Sequence, residues 1–284
     1  MPTDAHSLLH QIRDHALDLH AQSQPLLDAK GPISNKDVRT IRVTSKHLRA
    51  CWQLLKPLLK NTVADDAKRD LKKASATLKN ARELHVMANT LARLAQKTRA
   101  NDAKTTLTTG HELLFANIVG GSLQTERPAM LRDTFEHDEQ RWQQLDVKFS
   151  DNQIRRRGYG RLYAKAHKLA NAAHDNGDVE MWHRARKWVK YLSYTLPWLE
   201  LSDDFSPNPS DFTAFARSLG KLHDLHCLIV YSKKHRANFA NKDDAAYFIH
   251  QLQTAESHLQ WRCEKSSRNL FLVSPAQFDK AIVS

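Results

Sequence analysis

Between residues 38 and 55 the apolar residues Ile41, Leu48, Trp52 and Leu55 recur at i, i+7, i+11 and i+14. At about 100° per residue these positions share one side of an α-helix. More than a right angle away, Arg39, Arg42, Lys46 and Arg49 stand at i, i+3, i+7 and i+10 and form a narrow cationic row. Both stripes return 144 residues later. The basic row becomes His183, Arg186 and Lys190, with Ser193 at the fourth place, and the apolar set becomes Ala185, Leu192, Leu196 and Leu199. Two stripes kept in phase are harder to obtain by chance than one, so the pattern predicts a duplicated helical unit.

The duplication runs into the next predicted helix at an offset of 141. There Leu71, Leu78, Arg82, Glu83, Leu84 and His85 map onto Phe212, Leu219, His223, Asp224, Leu225 and His226. A small change of offset is what a connection of different length produces. A further helix, from about Asn152 to His174, carries Arg157, Arg161, Lys165 and Lys168 on one face at i, i+4, i+8 and i+11. His6, His10 and Arg13 echo part of that row.

Clusters of turn-forming residues separate the helical patterns at Ser23–Asp37, Gly120–Pro128, Asn176–Asp178 and Ser202–Ser210. Ser34 and Asp37 form a capping pair that opens the first stripe-bearing helix. Pro57 and Pro197 fall where the two stripe-bearing helices are expected to stop or kink. The chain has 284 residues, 41% of them hydrophobic, with 8 glycines and 9 prolines. That is enough apolar material for a core and too little punctuation for an all-β chain. The expectation is an all-α protein of two pseudo-symmetric bundles packed as one domain over residues 5–265. The halves divide at 135/136, and 266–284 form a C-terminal extension.

A formal charge of +12 and a pI near 9.6 draw such a chain toward polyanions: nucleic acid, acidic lipid headgroups or phosphate polymers. Cys51, Cys227 and Cys263 are scattered and odd in number, the pattern of reduced, mostly buried thiols. The opening residues lack an apolar core of signal-peptide length, and no run reaches the length of a membrane span. A cytoplasmic protein without a membrane span is expected.

The chemistry-bearing residues point the same way. Arg offers bidentate donors to phosphate oxygens and Lys a compact charge, so opposed basic rows suit a run of phosphates. The alternative is a solvated helix face. Among the 16 histidines, His223-Asp224-Leu225-His226 places two imidazoles and a carboxylate within one turn. Its repeat counterpart Arg82-Glu83-Leu84-His85 puts an arginine where a metal ligand is needed, which favours a hydrogen-bonded polar network. His183 beside Arg186 reads as an added phosphate donor. Glu83 and Asp224 either brace arginines of the rows or form surface ion pairs. Trp52, Trp182, Trp188, Trp198 and Trp261 are core candidates. No Walker loop, nucleophile elbow, dinucleotide fingerprint or Cys-x-x-Cys is present.

The run Trp182-His183-Arg184-Ala185-Arg186-Lys187-Trp188-Val189-Lys190-Tyr191-Leu192-Ser193-Tyr194 resembles the signature helix of the CHAD family, the conserved histidine α-helical domain. Val38–Arg49, with Arg42-Val43 leading to Leu48-Arg49, is similar to the first-half version. Leu219-Gly220-Lys221-Leu222-His223-Asp224 resembles the family's Leu-Gly…Asp element, and Arg82-Glu83 stands where the first half usually has Arg-Asp. The resemblance spans residues 5 to about 265.

It implies two helical bundles with a basic groove that binds inorganic polyphosphate without catalysis or cofactor, possible association with polyphosphate granules, and a groove lined by Arg39, Arg42, Lys46, Arg49, His183, Arg186 and Lys190. Arg82, Arg157, Arg161, Lys165, Lys168 and His223 complete the candidate set. Arg39 replaces a family histidine, Lys46-His47 the usual Arg-Arg, and Tyr191 and Ser193 stand where basic residues are frequent. These departures predict an asymmetric groove with its stronger wall in the first half. The Glu-x-Glu-x-Lys strand of the triphosphatase tunnel domain often fused to the family is absent, so that hydrolase activity is not expected. A nucleic-acid-binding helical protein is the second reading, and a metal-dependent phosphohydrolase built on His223, Asp224 and His226 the third.

Overall fold

A computed structural model describes residues 7–60, 62–119, 128–177, 179–199 and 208–282, without the side chains of 80–82, 116–119 and 176. Twelve α-helices are distinguished among them: α1 (Leu8–Asp28), α2 (Asn35–Leu55), α3 (Val63–Thr77), α4 (Lys79–Lys97), α5 (Asn101–Val119), α6 (Ala129–Gln143), the single turn α7 (Asp151–Gln153), α8 (Gly160–Asn176), α9 (Val179–Thr195), α10 (Pro209–Lys234), α11 (Lys242–Leu270) and α12 (Pro275–Ala281). The architecture is all-α, as the periodicity predicts.

The two stripe-bearing helices are α2 and α9. Ser34 caps α2: its Oγ accepts from the Asp37 amide at 3.1 Å and donates to Asp37 Oδ2 at 2.7 Å. The helix ends at Leu55, two residues before Pro57, and α9 ends at Thr195 with a 3₁₀ turn through Pro197. The break expected from Ser23 begins later, because α1 runs through Pro25 to Asp28. Pro25 sits on the exposed side, where water can satisfy the freed carbonyl, while buried Ser23 and Leu27 hold the helix to the core.

The long helix expected from Asn152 to His174 is interrupted by a π-helical turn at Ile154–Tyr159. Gly158 in that turn packs so closely on α2 that a β-carbon there would lie 2.8 Å from the carbonyl oxygen of Leu54. Most of the expected loops at 120–128 and 202–210 lie outside the described residues.

The repeat is visible as paired helices: α2 with α9, α3 and α4 with α10, and α5 with α11. In the first half the second unit breaks at Leu78 into α3 and α4, whereas α10 runs unbroken through the matching Leu219. The apolar cores do not follow the sequence halves. A large core joins α1, α2, α3, α6, α8 and α9 with the start of α10, the end of α11 and α12. A smaller one joins α4 and α5 with the end of α10 and the first half of α11. Each therefore takes side chains from both copies.

Helix α6 crosses the expected division at 135/136, and α12 is part of the large core, with Phe278 buried and stacked on Tyr163 at 4.1 Å. Trp52 and Trp182 are fully buried, as expected of core tryptophans. Trp188 and Trp198 are half-buried. Trp261 is a correction: it is 62% exposed on α11, because it lies off the face that buries Leu252, Cys263 and Leu270.

Candidate functional site: a basic cavity between the repeats

Helices α2, α4, α9 and α10 border an open cavity of about 1010 Å³ where the two cores meet. From the first half Arg39, Arg42 and Lys46 of α2 line it with Lys79 and Arg93 of α4. From the second half come Arg186 and Lys190 of α9 with Arg217, Lys221 and Lys234 of α10. Five cations from each half thus face two carboxylates, Glu83 and Asp224. The expected weakness of the second wall is corrected by this count. Ser193 does line the cavity without charge, but Arg217 and Lys221 restore the balance from a helix the stripe did not include.

The repeat register organises this lining. Arg42 matches Arg186, Lys46 matches Lys190, Glu83 matches Asp224, and Arg93 matches Lys234 at the 141-residue offset. Arg93 and Lys234 were not among the sequence candidates. The signal that finds them is the second-helix repeat carried eight residues past His85 and His226. Lys79, Arg217 and Lys221 have no such signature; all three are exposed and border the cavity at its open edge, where the packing of α4 against α10 brings them.

Burial strains these charges. Lys46 is held down to about 7 by desolvation, then by Lys190, Arg186 and Arg42, with Asp224 opposing. Lys190 is lowered to about 8 by desolvation and Arg186, again opposed by Asp224. Desolvation also lowers Arg186 and Arg42, against the attraction of Asp224 and Glu83 respectively. Glu83 and Asp224 thus offset part of the burial cost by their charge. The ion pair that Glu83 makes is the exposed one with Lys79 on its own helix, at 3.5 Å. Arg42 also donates to the carbonyl of Ser75 at 2.5 Å, which fixes its direction. His223 is pushed to about 3 by burial and by Arg186, so at neutral pH it lines the cavity as an uncharged imidazole.

The remaining candidates are placed elsewhere. His183 does not reach the cavity surface: its ring stands edge-on to His223 at 4.5 Å and to His226 at 5.0 Å, with Nδ1 3.5 Å from Glu180. Burial lowers its pKa, so it supports His223 rather than adding charge. His226 Nδ1 lies 2.9 Å from Glu256 Oε1, while His183 meets it and His223 through ring edges. His183 Nε2 and His223 Nδ1 are buried without a hydrogen-bond partner among the described residues. No group of three His, Cys, Asp or Glu among the described residues is placed to hold a metal ion.

Arg49 lies beside the cavity, close enough to influence Arg42 and bonded to the Tyr191 hydroxyl. Arg161 and Lys165 sit on α8 near Trp188, away from the cavity; Arg157 is in the π-helical turn and Lys168 further along α8, and neither lines it. The Arg82 side chain and His6 lie outside the described residues.

The CHAD domain model matches residues 10–228, more than three quarters of the chain. The chain belongs to the CHAD family. A crystal structure of the CHAD domain from the plant Ricinus communis is similar in fold, with a TM-score of 0.53 and 17% identity over 95% of this chain and 89% of that one. Comparison with curated proteins finds no match. The CHAD match covers both stripe-bearing helices, α4 and most of α10, which are the four elements that build the cavity. Among the described residues no helix is long and apolar enough to cross a membrane.

Proposed function

We propose that the cavity binds inorganic polyphosphate and performs no chemistry on it. The observation that carries this reading is the matched pairing of the lining: Arg42 with Arg186, Lys46 with Lys190 and Arg93 with Lys234, around one space with only two carboxylates. A polyphosphate chain reads the same from either end, so it meets equivalent partners whichever way it enters. A nucleic-acid strand has a direction and carries bases, and paired cations give it no directional register. Membership of the CHAD family supports the same ligand class. Binding is electrostatic: bidentate arginines and compact lysines replace the counterions of consecutive phosphates. The protein acts as a capture or targeting module in the cytoplasm, with polyphosphate granules as its destination.

The test is a polyphosphate titration at two salt concentrations, with single- and double-stranded nucleic acid at matched charge as competitors. Binding that falls steeply with salt and resists nucleic-acid competition is expected. Removing charge at Arg42 and Arg186 together abolishes binding while helicity by circular dichroism persists. Retained binding in that double variant removes the assignment of the cavity.

A further inference from the structure

Outside the cavity, the cationic row on α8 meets α9 at a tryptophan. The Arg161 guanidinium carbon lies 5.7 Å from the Trp188 ring centroid, Lys187 Nζ 5.9 Å and Lys165 Nζ 6.0 Å. Arg161, Lys165 and Lys187 are exposed, and none is in an ion pair with a carboxylate among the described residues. Arg49 of α2 and Lys72 of α3 add charge from the other side, both near enough to lower the Lys187 ammonium further after burial has done so. The neighbouring Asp65 is engaged by Lys56 and Lys68 at 2.7 and 3.0 Å and does not neutralise the group.

Like charges of α8 and α9 gathered on one indole, with Arg49 and Lys72 of α2 and α3 acting on Lys187, repel one another. The indole's quadrupole offsets part of that repulsion, by no more than a modest amount for each exposed cation. The rest is relieved when an anion binds. A nucleobase has poor access to Trp188, because three cations already surround its ring. Phosphate oxygens need no ring face, only the donors.

Arg49 links this patch to the cavity: it stands on the same face of α2 as the cavity-lining Arg42 and Lys46, one turn beyond Lys46, and its charge acts on Lys187 as well. We propose that Arg161, Lys165 and Lys187 around Trp188 form a second phosphate-binding surface, which takes the overhanging end of a polyphosphate chain whose middle occupies the cavity. The inference rests on the polyphosphate reading of the cavity and makes affinity depend on chain length. Short chains fill the cavity alone, while longer ones pass Arg49 and gain the outer cations.

The experiment compares tripolyphosphate with long-chain polyphosphate on the wild-type chain and on Arg161→Gln/Lys165→Gln/Lys187→Gln, whose exposed positions leave the fold intact by circular dichroism. The triple variant is expected to bind tripolyphosphate as the wild type does, to lose at least tenfold in affinity for the long chain, and to show a shallower salt dependence for it. Unchanged long-chain affinity, or equal losses for both lengths, overturns the second surface while the cavity assignment stands. If the wild-type chain binds neither length, the polyphosphate reading falls and the extension falls with it.

Discussion

The imidazole of His47 on α2 lies against the phenol ring of Tyr194 on α9, with centroids 3.9 Å apart and planes tilted by 26°. This stack joins the two repeats beside the cavity, next to Lys46 in sequence and with Tyr194 in the lining. Burial first, then His15, Lys190 and Lys46, hold the His47 imidazole down to about 4, so the stacked ring is neutral at pH 7.

Tyr194→Leu keeps an apolar side chain and removes the stack. A loss of about 1 kcal/mol is expected, the usual worth of an aromatic pair beyond its buried area. Urea denaturation measures it. A variant as stable as the wild type would show that the stack carries no weight between the repeats.

Proton uptake should accompany polyphosphate binding. Lys46 and Lys190 lie below the ordinary lysine value, at about 7 and about 8, and a bound polyanion favours their charged forms. Affinity is therefore highest at or below pH 7 and falls as pH rises through 7 to 9, by roughly tenfold or more over that range. Lys46→Arg/Lys190→Arg, which stays charged, flattens the profile. Without ligand the sign reverses. The unfolded chain holds more protons than the folded one above about pH 7, so these two lysines make the fold more stable as pH rises toward the ordinary lysine value. Titrations in buffers of different ionisation enthalpy count the protons taken up.

Cys227 lines the cavity, whereas Cys51 and Cys263 are buried. Burial first, then Glu83 and Asp224, raise the Cys227 thiol, so its alkylation at pH 8 is slow. One reactive thiol is expected in the folded protein, absent in Cys227→Ser and protected by polyphosphate. Protection that fails at saturating ligand places the polymer elsewhere.

A separate prediction concerns the joint between α1, α2 and α6. Asp138 is fully buried and lies 3.0 Å from His20 Nε2, while accepting from Trp52 Nε1 at 2.9 Å. Asp138→Ala leaves both partners buried without an acceptor and should cost about 1–3 kcal/mol for each. Asp138→Asn keeps an oxygen for Trp52 and loses less. Denaturation midpoints of the two variants give the order.

The helical pattern and the duplication were legible because they depend on local spacing. Ile41 with Ala185 and Trp52 with Leu196 repeat at one offset, and both members of each pair are buried. Arg42, Lys46, Arg186 and Lys190 reached the cavity for the same reason: a stripe opposite a buried face has few places to point. The direction of the α8 row was not legible. Its helix begins in a π turn set by the contact of Gly158 with Leu54, and no local rule says which side of α9 it will cover. Arg217 and Lys221 were missed because they lie on the exposed side of α10, and which exposed residues of that helix border the cavity depends on where α4 packs.

The CHAD match ends at residue 228, before α10 is complete, but the chain's packing does not. Phe248 on α11 sits in the smaller core and Phe278 on α12 in the larger. Gly110 of α5 has no side chain because the Phe248 ring occupies that space, and the Phe278 ring lies parallel to Tyr163, tilted by only 3°. A chain cut where the recognisable pattern stops would leave Phe115 and Tyr163 facing water and would lose Lys234 from the cavity wall. The recognisable motif thus spans less of the chain than the packing does, and the motif-poor residues beyond it complete both cores.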